Sequence, residues 1–170
     1  VFNVPWRHGD LATVPTDASS SGKSEAHGSS SRVAARRSAR ACSWHNGALA
    51  HAIDYDDVTH PAYAHPGASI VPALMATAHF EDISGAEALT AYILGIEMVS
   101  KLGRALNTAH YKNGWHASAT FGTMGAAATA AAMLRLDRNA YARTLALAAS
   151  AASGLRANFG TMAKPLHVGY

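Results

Sequence analysis

Three short polar islands in this chain hold the groups that chemistry on a carboxylate substrate needs. The first runs from Asp54 through Asp56, Asp57, Thr59 and His60 to His65, Pro66 and Gly67. The second is Gly114, Trp115 and His116, and the third is Lys164, Pro165, Leu166 and His167. Mostly Ala, Gly, Leu and Met lie between them. Acid, imidazole and ammonium groups separated by apolar helices suit a scaffold that brings them to one site.

Each island has its own chemistry. Asp54, Asp56 and Asp57 are close enough in sequence to repel, so some must be paired or protonated. A carboxylate and an imidazole tuned by such neighbours move protons near neutral pH. Asp56 or Asp57 can instead close a helix-to-loop transition by accepting backbone amides. Asp and His at this density also bind zinc or iron, but the chain has no His-x-x-x-His pair and no cysteine cluster, so no metal site is expected. His116 stands just before a predicted helix, where free amides welcome an anionic group. Lys164 precedes Pro165, which predicts an extended backbone there. Its ammonium could clamp a carboxylate or protonate a leaving group.

The elements that must position these groups are helical. Asn46 is a plausible N-cap for a short helix carrying Leu49, His51, Ile53 and Asp54. The run Ile70 to Phe80 reads as a helix with Pro72 in its first turn. Ser84 and Glu87 form a capping box opening a long helix whose apolar positions are Leu89, Ile93, Ile96, Val99 and Leu102. A polar loop from Asn107 to Ala117 leads into an Ala-rich helix over about 120–134, and Asp137 caps another to about Ser153. No stretch alternates with period two, so the expected class is all-α, a helical bundle. Gly122, Gly125, Ala128 and Ala132 leave room for close backbone approach.

Composition bounds the rest. The 170 residues make one domain of ordinary size. The +3 charge is concentrated in residues 1–45, whereas 46–170 are balanced, so the folded body lacks the basic face of a nucleic-acid protein. Residues 1–45 are Ser- and Arg-rich, and Ser19 to Ser31 cannot bury enough apolar area to offset the entropy of ordering it. That segment is expected to be poorly ordered. The single Cys42 excludes an internal disulfide and fits a reducing compartment. The uncharged run Ala117 to Leu134 is too poor in large apolar side chains for a membrane span. With no secretory signal at the N-terminus, a cytoplasmic protein without a membrane partner is expected.

The string Asn46-Gly47-Ala48-Leu49-Ala50-His51-Ala52-Ile53-Asp54-Tyr55-Asp56-Asp57, followed by Thr59-His60 and His65-Pro66-Gly67, resembles the MmgE/PrpD family. That family includes 2-methylcitrate dehydratase, cis-aconitate decarboxylase and iminodisuccinate epimerase. Leu94-Gly95-Ile96-Glu97, Gly114-Trp115-His116, Phe121-Gly122-Thr123, Ser153-Gly154-Leu155 and Thr161-Met162-Ala163-Lys164-Pro165-Leu166-His167 agree in order, so the resemblance covers about 46–170. It implies a helical domain and a site without metal or cofactor, and proton transfer beside a carboxylate of a small di- or tricarboxylate. Asp54, His65, His116 and Lys164 match the active-site motifs, with Thr59, His60 and His167 as substrate-binding neighbours. Lys164 and one histidine would hold carboxylates while Asp54 or the other histidine moves the proton.

Dehydration of the 2-methylcitrate type is the first expectation. Decarboxylation and epimerisation of the same class are its alternatives, and a non-catalytic remnant or helical interaction module is the rival of another kind. Family members continue with further helices, a second α+β domain and another active-site lysine, and are commonly homodimers. The resemblance therefore implies part of such an enzyme.

Overall fold

The computed structural model describes residues 39–170. The expectation of poor order over 1–45 falls mostly outside these residues. Helix α1 occupies 39–51, and α2 (Gly67–Ala78), α3 (Gly85–Leu106), α4 (Ala109–Lys112), α5 (Ala117–Met133), α6 (Arg138–Ala151) and α7 (Ala163–Gly169) follow, with a 3-10 turn over Arg156–Asn158. Among the described residues there is no strand, only two isolated bridges, Thr59 with Ala64 and Trp115 with Leu155. The protein is all-α, as its lack of period-two alternation requires.

Helix α5 is the axis of the fold, packed by α2, α3, α6 and α7. Its Ala, Gly and Thr sequence has no single apolar stripe, and a helix apolar on every side is one that neighbours must surround. Residues from Ala117 to Gly122, then Gly125, Ala128, Thr129, Ala131 and Met133, are buried. The core around it holds Ala62, Ala64, Ile70, Val99, Ala117 and Phe121, flanked by Tyr92, Ile96 and Leu102. Burying Ile70 or Val99 stabilises the fold by about 1.5–3 kcal/mol each. The Thr129 hydroxyl, also buried, donates to the Ala91 carbonyl at 3.1 Å, which removes the cost of an unpaired polar group.

Helix α3 departs from the face its sequence predicts. The capping box is as expected, with Ser84 Oγ accepting from the Glu87 amide and the Glu87 carboxylate accepting from the Ser84 amide. The buried stripe, however, is Ala91, Gly95, Val99 and Gly103. Leu89 and Ile93 remain 60% and 51% exposed. The reason is the closeness of α5: a Cβ on Gly125 would stand 2.7 Å from Val99 Cγ2 and 3.1 Å from the Gly95 carbonyl oxygen. Small residues win the contact because two backbones meet there.

Three further expectations are corrected. Asn46 is no N-cap, because helix α1 already runs through it from residue 39. Pro72 lies beyond the first turn, since α2 starts at Gly67 rather than Ile70. Lys164 is helical, not extended: Pro165 sits in the first turn of α7, where its missing N–H leaves no bond unmade and the helix can start before it. No helix among the described residues is long and apolar enough to cross a membrane.

Candidate active site

The site is assembled where α1 ends, α5 begins and α7 docks. Asp54 follows α1 with φ 56°, a left-handed conformation that Asp tolerates better than most side chains. The loop beyond it is closed by Thr59 N donating to the Ala64 carbonyl at 2.9 Å, and by the His65 amide donating to Ser118 Oγ of α5 at 3.0 Å. Asp57 ends the loop, its two oxygens 2.9 and 3.2 Å from the Gly67 amide that opens α2.

His116 is the N-cap residue of α5. Its amide donates to the Gly154 carbonyl at 3.0 Å, and the Arg156 amide donates to the Gly114 carbonyl at 2.8 Å. This fixes the second island against the turn before α7. Helix α7 is seated by buried Val168 against Ala68 and Ala119, which places Lys164 over the end of α1.

Asp54, His65, His116 and Lys164 are thereby brought together. Lys164 Nζ donates to Asp54 Oδ2, and Asp54 Oδ1 lies 3.7 Å from His65 Nε2. His51 links the rest: its ring is 4.7 Å from that of His65 and stacks at 5.5 Å on that of His116. Phe159 meets His116 edge-on at 4.8 Å and lies 5.2 Å from the Lys164 ammonium. His167 is 6.0 Å from His116, with Asn158 Nδ2 at 3.4 Å from its Nε2. It also lines a cleft of about 220 Å³ with Trp44, Ser153, Leu166 and Tyr170. A second cavity of about 230 Å³ lies between Ile83, Ala86, Thr90, Ala132 and Met133. It is at the opposite end of α5, roughly 24 Å along the helix from His116.

Among the described residues no hydrogen bond, ion pair or ring contact joins Thr59 or His60 to the cluster. Thr59 is tied by its backbone to Ala64, and His60, which is exposed, packs its ring on Tyr63 at 4.6 Å.

The three carboxylates that repel in sequence each have a separate partner. Lys164 takes Asp54 and the Gly67 amide takes Asp57. Asp56 takes the His51 imidazole, with Oδ2 2.8 Å from His51 Nδ1, while its Oδ1 lies 3.2 Å from His65 Nδ1 without hydrogen-bond alignment. Sequence reasoning left His51 without a role and read Asp56 as a possible backbone cap. A histidine three residues before Asp54, following Ala48, Leu49 and Ala50 at the end of the helix, was the available signal.

The electrostatics follow from burial. The hydrogen bond from Lys164 holds the Asp54 carboxyl below the usual carboxylate range. Desolvation depresses His51, and it drives His116 down to about 3, helped by the nearby charges of His51, His167, Lys164 and His65. His116 is 1% exposed, and neither of its ring nitrogens has a partner among the described residues. A neutral buried imidazole with both nitrogens free is equipped to hydrogen-bond a substrate group.

Ligand atoms of His51, Asp54, Asp56 and His65 lie within 4.8 Å of one another, so the donor set could be read as a metal site. Its geometry suits protons better. Two ligands of one tetrahedral zinc stand about 3.3 Å apart, whereas His51 Nδ1 and Asp56 Oδ2 are 2.8 Å apart, and the Lys164 cation already occupies Asp54.

The chain is 37% identical to human (Homo sapiens) cis-aconitate decarboxylase over 132 residues, 73% of this chain and 27% of that protein. It is 35% identical to the mouse (Mus musculus) cis-aconitate decarboxylase, again over 73% of this chain, and 29% identical to that of Aspergillus terreus over 74%. The chain spans about a quarter of the length of these relatives. The profile of the MmgE/PrpD N-terminal domain matches residues 11–170, starting well before Asn46, and this chain belongs to the MmgE/PrpD family.

Proposed function

We propose that this chain is the helical part of a lyase that acts beside a carboxylate of a small tricarboxylate, with decarboxylation of cis-aconitate as its reaction. The observation that carries this reading is the meeting of Asp54, His65, His116 and Lys164 from separate segments around one another. The 2-methylcitrate dehydration expected from the sequence draws on the same groups, and the names of the relatives favour decarboxylation over it.

In such a reaction the bond to one carboxylate carbon breaks and carbon dioxide leaves. Its electron pair spreads through the adjoining alkene toward a remaining carboxylate, and carbon then takes up one proton. Lys164 supplies the charge that holds a carboxylate and offsets that developing negative charge. His116, neutral and unpartnered, offers a ring hydrogen bond, and His65 or Asp54 delivers the proton. Epimerisation and dehydration pass through similar charge, so one pocket could serve each.

The test is binding and turnover together. The protein is expected to bind cis-aconitate, to do so at least about tenfold more weakly as Lys164→Ala, a loss of about 1.4 kcal/mol, and to release carbon dioxide from it. Water released from 2-methylcitrate instead would move the assignment to dehydration. Absence of binding to either acid would overturn both.

A further inference from the structure

Asp56 is the carboxylate of the site whose two oxygens both face imidazoles. His51 Nδ1 lies at 2.8 Å from one and His65 Nδ1 at 3.2 Å from the other. The Asp56 side chain is 9% exposed and that of His51 is sealed completely. An ionised carboxylate only accepts, so the hydrogen bond to His51 calls for that ring's proton to sit on Nδ1, whereas His65 Nδ1 and Asp56 Oδ1, although 3.2 Å apart, are not aligned as a hydrogen bond. Which nitrogen of a neutral imidazole carries the proton is decided by the partner of the other.

His51 has one alternative, and it is the weaker one. His51 Nε2 is buried with no acceptor in reach among the described residues, and an orphaned buried N–H is rarer than an under-satisfied acceptor. Asp57 cannot substitute, since both its oxygens are turned to the Gly67 amide.

We propose that Asp56 is a positioning residue that keeps the ring proton of His51 on Nδ1, so that this ring presents a bare Nε2. On the polyacid reading, on which this consequence rests, His51 backs the His116 ring and is kept from offering it an N–H.

Ring-proton positions are read directly from two-bond proton–nitrogen correlation spectra of the nitrogen-15-labelled protein above about pH 8, where imidazoles are neutral. His51 is expected in the Nδ1–H form, and finding it as Nε2–H overturns the proposal. That spectrum of the unsubstituted protein decides the matter whatever the stability of a variant. Asp56→Leu removes this acceptor at similar volume and is expected to cost His51 its preference for the Nδ1–H form. A folded variant with His51 still wholly in the Nδ1–H form would also overturn the proposal. The spectra need no substrate, so failure here would leave polyacid binding standing, and failure of polyacid binding would leave the His51 ring proton where Asp56 puts it.

Discussion

The Lys164 ammonium donates to Oδ2 of Asp54 across 110 residues of chain, and this contact ties α7 to the end of α1. Asp54 is more than half exposed, so the pair contributes less than about 1 kcal/mol to stability. On the proposed reading its role is one of arrangement: a cation is held beside the imidazole cluster by a carboxylate that an incoming polyacid would replace. Urea unfolding of Lys164→Ala is therefore expected to change by less than about 1 kcal/mol while tricarboxylate affinity collapses. A large stability loss with affinity unchanged would contradict this division.

Acid should destabilise the protein earlier than its carboxylates alone would allow. His116 titrates near 3 when folded and near about 6.5 when unfolded, so below that value the unfolded chain binds more protons than the native one. The sign is fixed by linkage: stability is full above about pH 6.5 and falls as pH drops from there toward 3. His51, lowered by the same burial, adds to this slope. The loss amounts to a few kcal/mol. Asp54 and Glu87, whose pKa values are also lowered, Glu87 to about 2, contribute only in the more acid window. Denaturant titrations at a series of pH values should show the decline beginning in the histidine range, and His116→Leu should flatten it.

The crossing of α3 and α5 makes a steric prediction. Gly125→Val puts methyl groups where Val99 Cγ2 and the Gly95 carbonyl already stand, and is expected to cost about 1–3 kcal/mol or more. Gly85→Ala is the control, because a Cβ there meets nothing within 4 Å. It is expected to be neutral or stabilising by up to about 1 kcal/mol. Chemical denaturation of the two variants compares them directly.

Asp57 and Asp56, adjacent in sequence, should separate cleanly by function. Asp57→Ala removes the acceptor of the Gly67 amide at the start of α2 and is expected to cost about 0.5–2 kcal/mol, as loss of a helix cap does. The imidazole resonances of His51 and His65 should stay in place. Movement of their ring protons in this variant would show that the two carboxylates are not independent.

Features set by neighbours along the chain were legible in the sequence. The capping box of Ser84 and Glu87 and the Asp137 cap, whose Oδ1 accepts from the Ala140 amide at 2.8 Å, depend only on residues three apart. Features set by what another element leaves room for were not. Leu89 and Ile93 match a helical period, but only the Gly95–Gly125 approach decides that the opposite face is buried. Lys164 before Pro165 reads as extended until α7 is seen to place that proline in its first turn. The four site residues were legible as types in islands and as a family resemblance. The pairing of Asp56 with His51 was not, because a loop of tertiary origin turns the carboxylate back onto the helix that precedes it.

The most direct measurement is a titration of the labelled protein with cis-aconitate, observing the ring resonances of its histidines. The account predicts saturable shifts of His65 and His116 with a common affinity, none at the distant His79, and loss of both in Lys164→Ala. Shifts confined to other histidines, or shifts of His65 and His116 that Lys164→Ala leaves intact, would contradict a single polyacid site built from these residues.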